Sequence, residues 1–184
     1  MRNRIAITAL ICGLLSAVPA AASMRAHDIY ARAARRAGVA PDLLIAVAGA
    51  ESGWHPWALN IHGQAYYCGS RARATGLLRS ADDADIGLMQ INFAFWGHRL
   101  GYSKDQLLQP ATNLYAGALI LKQLLGRPGS FWGRLSAYHS AKPAARRQWS
   151  QAVYGRYLCY LSGRPMARSC DAAETAASSA ISRR

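Results

Sequence analysis

Residues 41–60 read PDLLIAVAGAESGWHPWALN. Pro41 suits the first position of a helix, and apolar residues at helical spacing follow it. Gly53 predicts the end of this helix, so that Glu51 would lie in its last turn. A carboxylate in that position is either a solvent-facing or ion-paired helix-end residue, or a group that the protein uses for chemistry.

The environment predicted for Glu51 favours its neutral form. The C-terminal end of a helix carries partial negative charge, and burial among apolar residues disfavours a carboxylate. Trp54 and Trp57 follow closely and are candidates for excluding water from Glu51. A carboxylic acid that stays protonated near neutral pH is suited to general acid catalysis. Glutamate is also rare in this chain, and the only other one, Glu174, lies in an Ala/Ser-rich tail.

A second carboxylate is harder to choose. Glycosidases commonly use two. Asp82, Asp83 and Asp85 cluster just before the stretch IGLMQIN, residues 86–92. The aspartates at probable helix starts are more typical of caps. The residues alone therefore leave the partner of Glu51 open.

The remaining pattern predicts a mainly α (α+β) domain with a small β element. A hairpin is expected over 58–69 around Gly63, and residues 86–92 are strand-like or irregular. No linker interrupts residues 23–165. Helical patterns cover residues 24–38, 41–52, 71–80, 93–101, 103–126 (in two parts that divide at Pro110), 130–141 and 144–163.

Both ends of the chain differ from this domain. Residues 1–22 combine a basic start, an apolar run and small residues, which predicts a signal peptide cleaved after Ala22 and a periplasmic protein. The alternative is an uncleaved anchor, but the apolar run of 16 residues is shorter than the about 20 that span a bilayer. Residues 166–184 are rich in Ala, Ser and Arg and are predicted to be a disordered tail.

Composition limits the classes of partner. The net charge of +13 is spread along the chain, which fits a polyanionic partner such as nucleic acid, anionic lipid or cell-wall polymer, or merely a solvated surface. No basic helix with interleaved aromatic residues and no reader motif supports a nucleic-acid binder. The histidines lack the spacing of a zinc site, and we expect neither a metal nor a cofactor.

The cysteines of the predicted mature chain are three in number: Cys68, Cys159 and Cys170. Export permits disulfides. One cysteine would remain unpaired, and the sequence does not decide which.

Four stretches occur together in a recognisable order: ESGWHPWALN (51–60), DIGLMQIN (85–92), NLYAGALIL (113–121) and SAYHSA (136–141). Together they resemble the soluble lytic transglycosylase (SLT) family, whose catalytic domain has the goose-type lysozyme fold. The resemblance is to its small, single-domain members associated with conjugation, type IV secretion and type IV pili. It covers about residues 27–160.

This resemblance implies cleavage of peptidoglycan between N-acetylmuramic acid and N-acetylglucosamine without water. Glu51 would protonate the glycosidic oxygen and then act as a base. The muramyl C6 hydroxyl would attack the anomeric carbon and give a 1,6-anhydro product. The attacking group then belongs to the sugar, which accounts for the missing second carboxylate. The implied partners are glycan strands and an envelope apparatus of the type IV secretion, conjugation or pilus kind.

Further roles are carried over by motif position. Ser52 is expected to order the site or touch substrate, and Gln90 to line the cleft beside the cleaved bond. Met89 is expected to form an apolar wall or to be simple core. The hydroxyl of Tyr138 is expected to reach the carboxylate of Glu51. Gly87 would allow a close backbone approach.

Two positions depart from the family pattern. The usual AYN reads AYH, so that His139 replaces an asparagine and is a candidate for binding sugar or for a second acid/base role. Asp85 and Ile86 stand where a Ser-Val or similar pair is usual, and Asp85 is either a partner carboxylate near the cleft or a loop residue that caps a turn. The insert at 66–85 is interpreted as a lid or a surface feature.

Two other functions remain open from the sequence. One is a hydrolytic muramidase of the same fold, which would share Glu51 but use water. The other is a wall-binding scaffold without catalysis. The presence of Glu51, Ser52, Gln90 and Tyr138 together argues against the scaffold, because a binder has no need of the acid.

Overall fold

The protein's structure is a computed structural model that describes residues 20–162 except residue 141, with side chains described from residue 27 onward. A π-helical turn, Phe93–Gly97, joins the sheet to the second half of the domain. The helices are α1 Ala20–Ala37, α2 Pro41–Ser52, α3 Arg71–Leu78, α4 His98–Leu100, α5 Lys104–Leu107, α6 Pro110–Leu125, α7 Phe131–Ser136 and α8 Pro143–Leu161. The strands are β1 Ala58–Ile61, β2 Gln64–Tyr67, β3 Ala84–Ile86 and β4 Ile91–Asn92.

Helix α2 is the centre of the core. Its residues from Leu44 to Gly49 are all buried, as expected for a helix that is apolar on every side. It packs along α8 and also contacts α1 and α6, while α1 packs along α6. Gly53, in a left-handed conformation, ends α2 and donates its N–H to the carbonyl groups of Ala48 and Gly49. Glu51 therefore lies in the last turn, as predicted.

The sheet has four antiparallel strands in the order β2-β1-β3-β4. The hairpin predicted around Gly63 is confirmed by the pairing of β1 with β2. The stretch 86–92, which was expected to be strand-like or irregular, supplies the end of β3, a tight turn and β4. Asn60 of β1 lies opposite Asp85 of β3, and Asp85 lies opposite Asn92 of β4. Directly opposed residues share one face of a sheet, so these three side chains form a row.

Asn113, at the start of α6, fixes the turn between β3 and β4. Its side-chain amide donates to the carbonyl groups of Ile86 (2.7 Å) and Leu107 (2.9 Å) and accepts from the backbone N–H of Met89 (2.8 Å). Gly87 of the turn has φ +77°, and a Cβ there would lie 2.5 Å from the Asn113 amide nitrogen. The close approach predicted at Gly87 is thus confirmed.

Two helical predictions differ from the structure in their details. The helix expected over 130–141 ends at Ser136, and the N–H groups of Tyr138 and His139 bond three residues back, to Leu135 and Ser136. These shorter-range bonds end the regular α-helix, so that Tyr138 and His139 do not occupy the positions that a continued helix would give them. The segment 93–101 forms the π-helical turn followed by the short helix α4. The other helical segments are confirmed with small shifts of their ends.

The insert at 66–85 packs on the surface of the domain. Arg71 of α3 pairs with Asp105 of α5 at 2.5 Å, and Lys104 donates to the carbonyl groups of Leu78 and Ala81. Tyr67 is 66% exposed. Several other side chains of the insert are buried in the core, and only Asp85 of the insert lines the cleft described below.

The terminal predictions fall largely outside the described residues. The tail 166–184 and residues 1–19 lie there, and α1 begins at Ala20, so it includes the predicted cleavage point after Ala22. Within the described residues, no helix combines the length and the apolar character needed to span a membrane. Cys68 is a buried free thiol, and Cys159 takes part in a disulfide.

Candidate active site

A cleft of about 340 Å³ lies between the sheet and the helical part of the domain. It collects side chains from both, so the chain must fold completely before the cleft exists. The residues that line it are Glu51, Asn60, Asp85, Gln90, Ile91, Asn92, Trp96, Ile120, Tyr138 and His139.

Glu51 lies at the buried edge of this cleft, with a side chain that is only 8% exposed. Its Oε1 atom accepts a hydrogen bond of 2.7 Å from the indole N–H of Trp149. The Nδ1 atom of His139 lies 3.5 Å from the same oxygen. Trp149 belongs to α8, which packs along α2, and this packing delivers the indole to the carboxylate.

The pKa of Glu51 is raised above its ordinary value. Burial is the main cause, because it removes the charged form from water. The contacts with His139 and Trp149 oppose this shift, and the charge of Asp85 adds to it. The arrangement therefore favours a protonated carboxyl that is held in place by defined partners.

Trp149 is also the platform for two neighbouring rings. The imidazole of His139 stacks on it at 5.7 Å with an angle of 9°, and the ring of Tyr138 at 6.1 Å with 12°. The side chain of His139 is 41% exposed and faces the cleft. Its pKa is raised mainly by its contact with Glu51, against the opposing effect of burial.

Asp85 lines the opposite, sheet side of the cleft. The amide of Asn92 donates to Asp85 (3.0 Å) and to Asp83 (2.8 Å). Burial raises the pKa of Asp85, and the bond from Asn92 opposes the shift. Because Asp85 is part of strand β3, the alternative of a turn-capping loop residue is wrong, and the alternative position near the cleft agrees with the structure.

Ser52 and Gln90 hold the backbone around the cleft. The hydroxyl of Ser52 is buried and lies 2.9 Å from the carbonyl of Leu88 and 3.1 Å from that of Ala48. Ser52 therefore orders the backbone of the site, in line with the first of its two expected roles, and it does not line the cleft. The amide of Gln90 donates to the carbonyls of Ala58 (3.2 Å) and Gly87 (2.9 Å). These bonds leave the side-chain oxygen of Gln90, a residue that lines the cleft, as an acceptor.

The sequence was compared with models of protein families, with known proteins and with solved structures. Residues 28–156, well over half of the chain, match the family model for the transglycosylase SLT domain. This chain belongs to the SLT transglycosylase family. Protein IpgF of Shigella sonnei and Protein IpgF of Shigella flexneri are each 29% identical to it over 139 residues, which cover 71% of this chain and 80% of each relative. The search of the solved structures found no significant match.

Membership of the SLT family confirms the mainly α, lysozyme-like fold with a small sheet. It also makes lytic transglycosylase activity on peptidoglycan the activity expected at the level of the family. The matched range begins in α1 and ends within α8, so it includes Glu51, the sheet, His139 and Trp149.

One residue role carried over from the SLT family needs correction, that of Tyr138, and the two alternatives left open for Met89 are decided. The hydroxyl of Tyr138 donates to the carbonyl of Met89 at 2.8 Å rather than reaching Glu51. Tyr138 still lines the cleft and fixes the turn beside it. The side chain of Met89 is fully buried and packs on Gly117 of α6, where a Cβ would lie 2.6 Å from it. Met89 is thus core, and the apolar wall is supplied instead by Ile91, Ile120 and Trp96.

The sequence identified the wrong tryptophans. The indole of Trp54 turns back to donate to the carbonyl of Ile45 at 2.9 Å, and neither Trp54 nor Trp57 lines the cleft. Trp149, 98 residues from Glu51 along the chain, fills the expected place. In the sequence, the only sign that Trp149 could contact Glu51 was its place on the apolar face of an amphipathic helix. Asn60 was also missed, and its cross-strand position opposite Asp85 was the available signal.

The described part of the chain holds no group of three or more His, Cys, Asp or Glu side chains that could bind a metal ion. The nearest approach to such a group in the cleft is Glu51 with His139 and, across the cleft, Asp85.

Proposed function

We propose that the protein is a peptidoglycan lytic transglycosylase in which Glu51 is the catalytic acid and base. The observation that carries the proposal is the placement of Glu51. It is the carboxyl group of the cleft that is almost completely buried, and it has a raised pKa and two fixed neighbours. Membership of the SLT family supplies the substrate class.

The reaction needs two proton transfers, first from Glu51 to the leaving oxygen and then from the attacking hydroxyl to Glu51. The protonated Glu51 gives its proton to the oxygen that joins muramic acid to the next sugar, and the bond from that oxygen to the anomeric carbon breaks. The resulting carboxylate then takes the proton from the muramyl C6 hydroxyl. At the same time the C6 oxygen bonds to the anomeric carbon and closes the 1,6-anhydro ring. The enzyme returns to its starting protonation state, and no water is consumed.

The neighbours of Glu51 suit both halves of this cycle. The indole N–H of Trp149 donates to the carboxylate and steadies it after the proton has left. His139, at 3.5 Å, supplies positive charge when it is protonated. On the sheet side, the Oδ1 atom of Asn60 is buried without a hydrogen-bond partner in the described structure. Asn60 and Gln90 therefore offer acceptors to substrate hydroxyl and N-acetyl N–H groups.

A hydrolytic muramidase is the second candidate, and the position of Asp85 favours it. A carboxylate across the cleft from the acid is the group that would activate a water molecule on the other face of the sugar. Asp85 lines the cleft and is ordered by Asn92. The raised pKa of Asp85 makes it a better base than an ordinary aspartate.

The products distinguish the two reactions. Purified peptidoglycan is digested with the wild type, with Glu51→Gln and with Asp82→Asn, an exposed acidic control outside the cleft. Mass spectrometry of the released muropeptides should show 1,6-anhydromuramic ends from the wild type and from Asp82→Asn. With Glu51→Gln, release should fall at least about 100-fold, as for loss of a general acid.

Other outcomes have defined meanings. Reducing ends, one water heavier, would establish the muramidase, and loss of their release in Asp85→Asn would then identify Asp85 as its base. Release that is undiminished in Glu51→Gln would remove Glu51 from the mechanism. No release by the wild type, together with intact binding to sacculi, would support the wall-binding scaffold.

We further propose that the protein is exported to the periplasm and opens the wall locally for a secretion, conjugation or pilus apparatus. The signal-like residues 1–22 support export, and the resemblance to small SLT members of such systems supports the local role. N-terminal sequencing of the protein from a periplasmic extract checks the first step. Recovery of the uncleaved chain from the cytoplasm alone would contradict it.

A further inference from the structure

A second cavity, of about 440 Å³, adjoins the cleft. It lies between the segment Phe93–Leu100 and the C-terminal part of α6. Trp96 lines both cavities, and Ala137, which lines the second, directly precedes Tyr138 of the cleft. A polymer bound in the cleft can therefore extend a substituent past Trp96 into this neighbouring space.

The charge in the second cavity is positive. Arg99 and Arg127 line it together with the amide side chain of Gln123. Both arginines are exposed, and neither lies within ion-pair distance of a carboxylate of the described residues. No acidic residue lines this cavity. Two guanidinium groups thus face a solvent-filled space without an internal counter-charge.

Arg99 is positioned by aromatic rings. Its guanidinium carbon lies 3.6 Å from the centroid of the Phe95 ring and 5.9 Å from that of Trp96. Stacking of this kind holds the planar group while leaving its N–H donors at the edge free. Phe95 itself is 48% exposed, so the pair forms an open wall rather than part of the core.

We propose that this second cavity binds a carboxylate of the peptidoglycan stem peptide. The proposal rests on the proposed function, since it deepens the substrate class of the same enzyme. Guanidinium groups recognise carboxylates through paired hydrogen bonds, and Gln123 can accept from or donate to a peptide group. In peptidoglycan, the stem peptide is attached to the same muramic acid that reacts in the cleft. The carboxylates of the peptide are therefore held near the cleaved bond.

The experiment compares two substrates. One consists of glycan strands with stem peptides, and the other of the same strands after an amidase has removed the peptides. The variants are Arg99→Gln and Arg127→Gln, singly and together. Arg73→Gln is the matched control, because it removes an exposed arginine of α3 that lines neither cavity.

The readout is the ratio of kcat/KM on peptide-bearing strands to kcat/KM on peptide-free strands. We expect the double variant to lower this ratio about 10-fold, as for loss of charge-assisted hydrogen bonds at a partly exposed site. Arg73→Gln should leave the ratio unchanged. An unchanged ratio in the double variant would overturn the proposal, including the case in which kcat/KM falls equally on both substrates.

A binding measurement separates this proposal from the proposed function. Calorimetry with Glu51→Gln uses a disaccharide-peptide fragment and the same fragment with its carboxylates amidated. The carboxylate form should bind about 10-fold more tightly, and Arg99→Gln with Arg127→Gln should abolish the difference. This result would stand even if the wild type released no products. Equal affinity for the two fragments would overturn the second cavity's role while leaving the catalytic proposal intact.

Discussion

Glu51 and His139 influence each other's titration at the residue scale. Burial raises the pKa of Glu51, and His139 is the strongest opposing influence, whereas the contact with Glu51 raises the pKa of His139. Groups this close titrate as a pair. A protonated His139 favours the carboxylate form of Glu51, and a general acid in that form cannot protonate a leaving oxygen.

His139→Asn should therefore extend the pH range of the enzyme upward. Without the imidazole, the pKa of Glu51 loses its largest lowering influence and rises further. Since activity requires protonated Glu51, the fall of kcat/KM with increasing pH should begin at higher pH in the variant. The measurement is kcat/KM for muropeptide release between about pH 5 and 9.

His62→Asn is the control for this experiment. His62 lies in the turn between β1 and β2 with φ 51°, a conformation that asparagine tolerates, and it does not line the cleft. Its pH profile should match the wild type. A fall of activity that begins at lower pH in His139→Asn would show that the imidazole acts as an acid or base itself.

At this scale, the sequence predicted the buried position of Glu51 but not its surroundings. Glu51 was identifiable because glutamate is rare and because an apolar helix precedes it. Its hydrogen-bond partners depend on how α8 packs on α2, which no local pattern encodes. The same reason explains the error at Tyr138. The fold of the turn between β3 and β4 presents the carbonyl of Met89 to the hydroxyl of Tyr138.

The turn between β3 and β4 is the element on which the cleft depends. It carries Gln90 into the cleft, where that residue adopts the positive φ of 43°. Asn113 holds this turn against α6 by two hydrogen bonds, to Ile86 and Met89, and Ser52 holds it against the end of α2 through the carbonyl of Leu88. The relative position of acid and substrate-binding groups is therefore set by two buried polar side chains.

Asn113→Ala should destabilise the whole domain. The variant leaves the N–H of Met89 and the carbonyl groups of Ile86 and Leu107 buried without partners. The expected loss is roughly 2–4 kcal/mol in the free energy of unfolding, measured by urea denaturation. Gln123→Ala, at an exposed position of the same helix, should change it by less than about 0.5 kcal/mol. Equal effects of the two substitutions would contradict the anchoring role of Asn113.

The elements themselves were largely predictable. Periodicity and the proline and glycine residues at their ends identified α2, α6 and α8, because these helices bury a face or are buried throughout. The hairpin followed from alternation around Gly63. The π-helical turn at Phe93–Gly97 was not predictable, since the same five residues fit an ordinary helical turn. The early end of α7 was equally hidden, because residues up to 141 keep a helical composition.

Positive charge dominates the whole molecule. The chain has 22 basic and nine acidic residues. Ion pairs between described residues join Arg32 to Asp28, Arg71 to Asp105 and His139 to Glu51, so few of the basic groups are neutralised. An anionic polymer should be attracted over a distance set by the ionic strength. The sequence alone established this property, because net charge requires no fold.

Binding to the wall should consequently weaken as salt rises. The fraction of Glu51→Gln protein that sediments with sacculi should fall several-fold between about 0.05 and 0.5 M sodium chloride, because screening shortens the reach of surface charges. Sucrose at matched osmolarity is the control and should have no such effect. Binding that is insensitive to salt would show that the basic surface has another purpose.

The bond between Trp149 and Glu51 also orders events in time. A chain that emerges from a ribosome or a translocation channel begins with its N terminus, so the carboxyl group appears long before the indole that completes its surroundings, 98 residues later. Until α8 has been synthesised and has docked on α2, the nascent chain carries Glu51 without the indole that holds its carboxyl group. A site built in this way cannot be complete before nearly the whole described domain has been synthesised and folded.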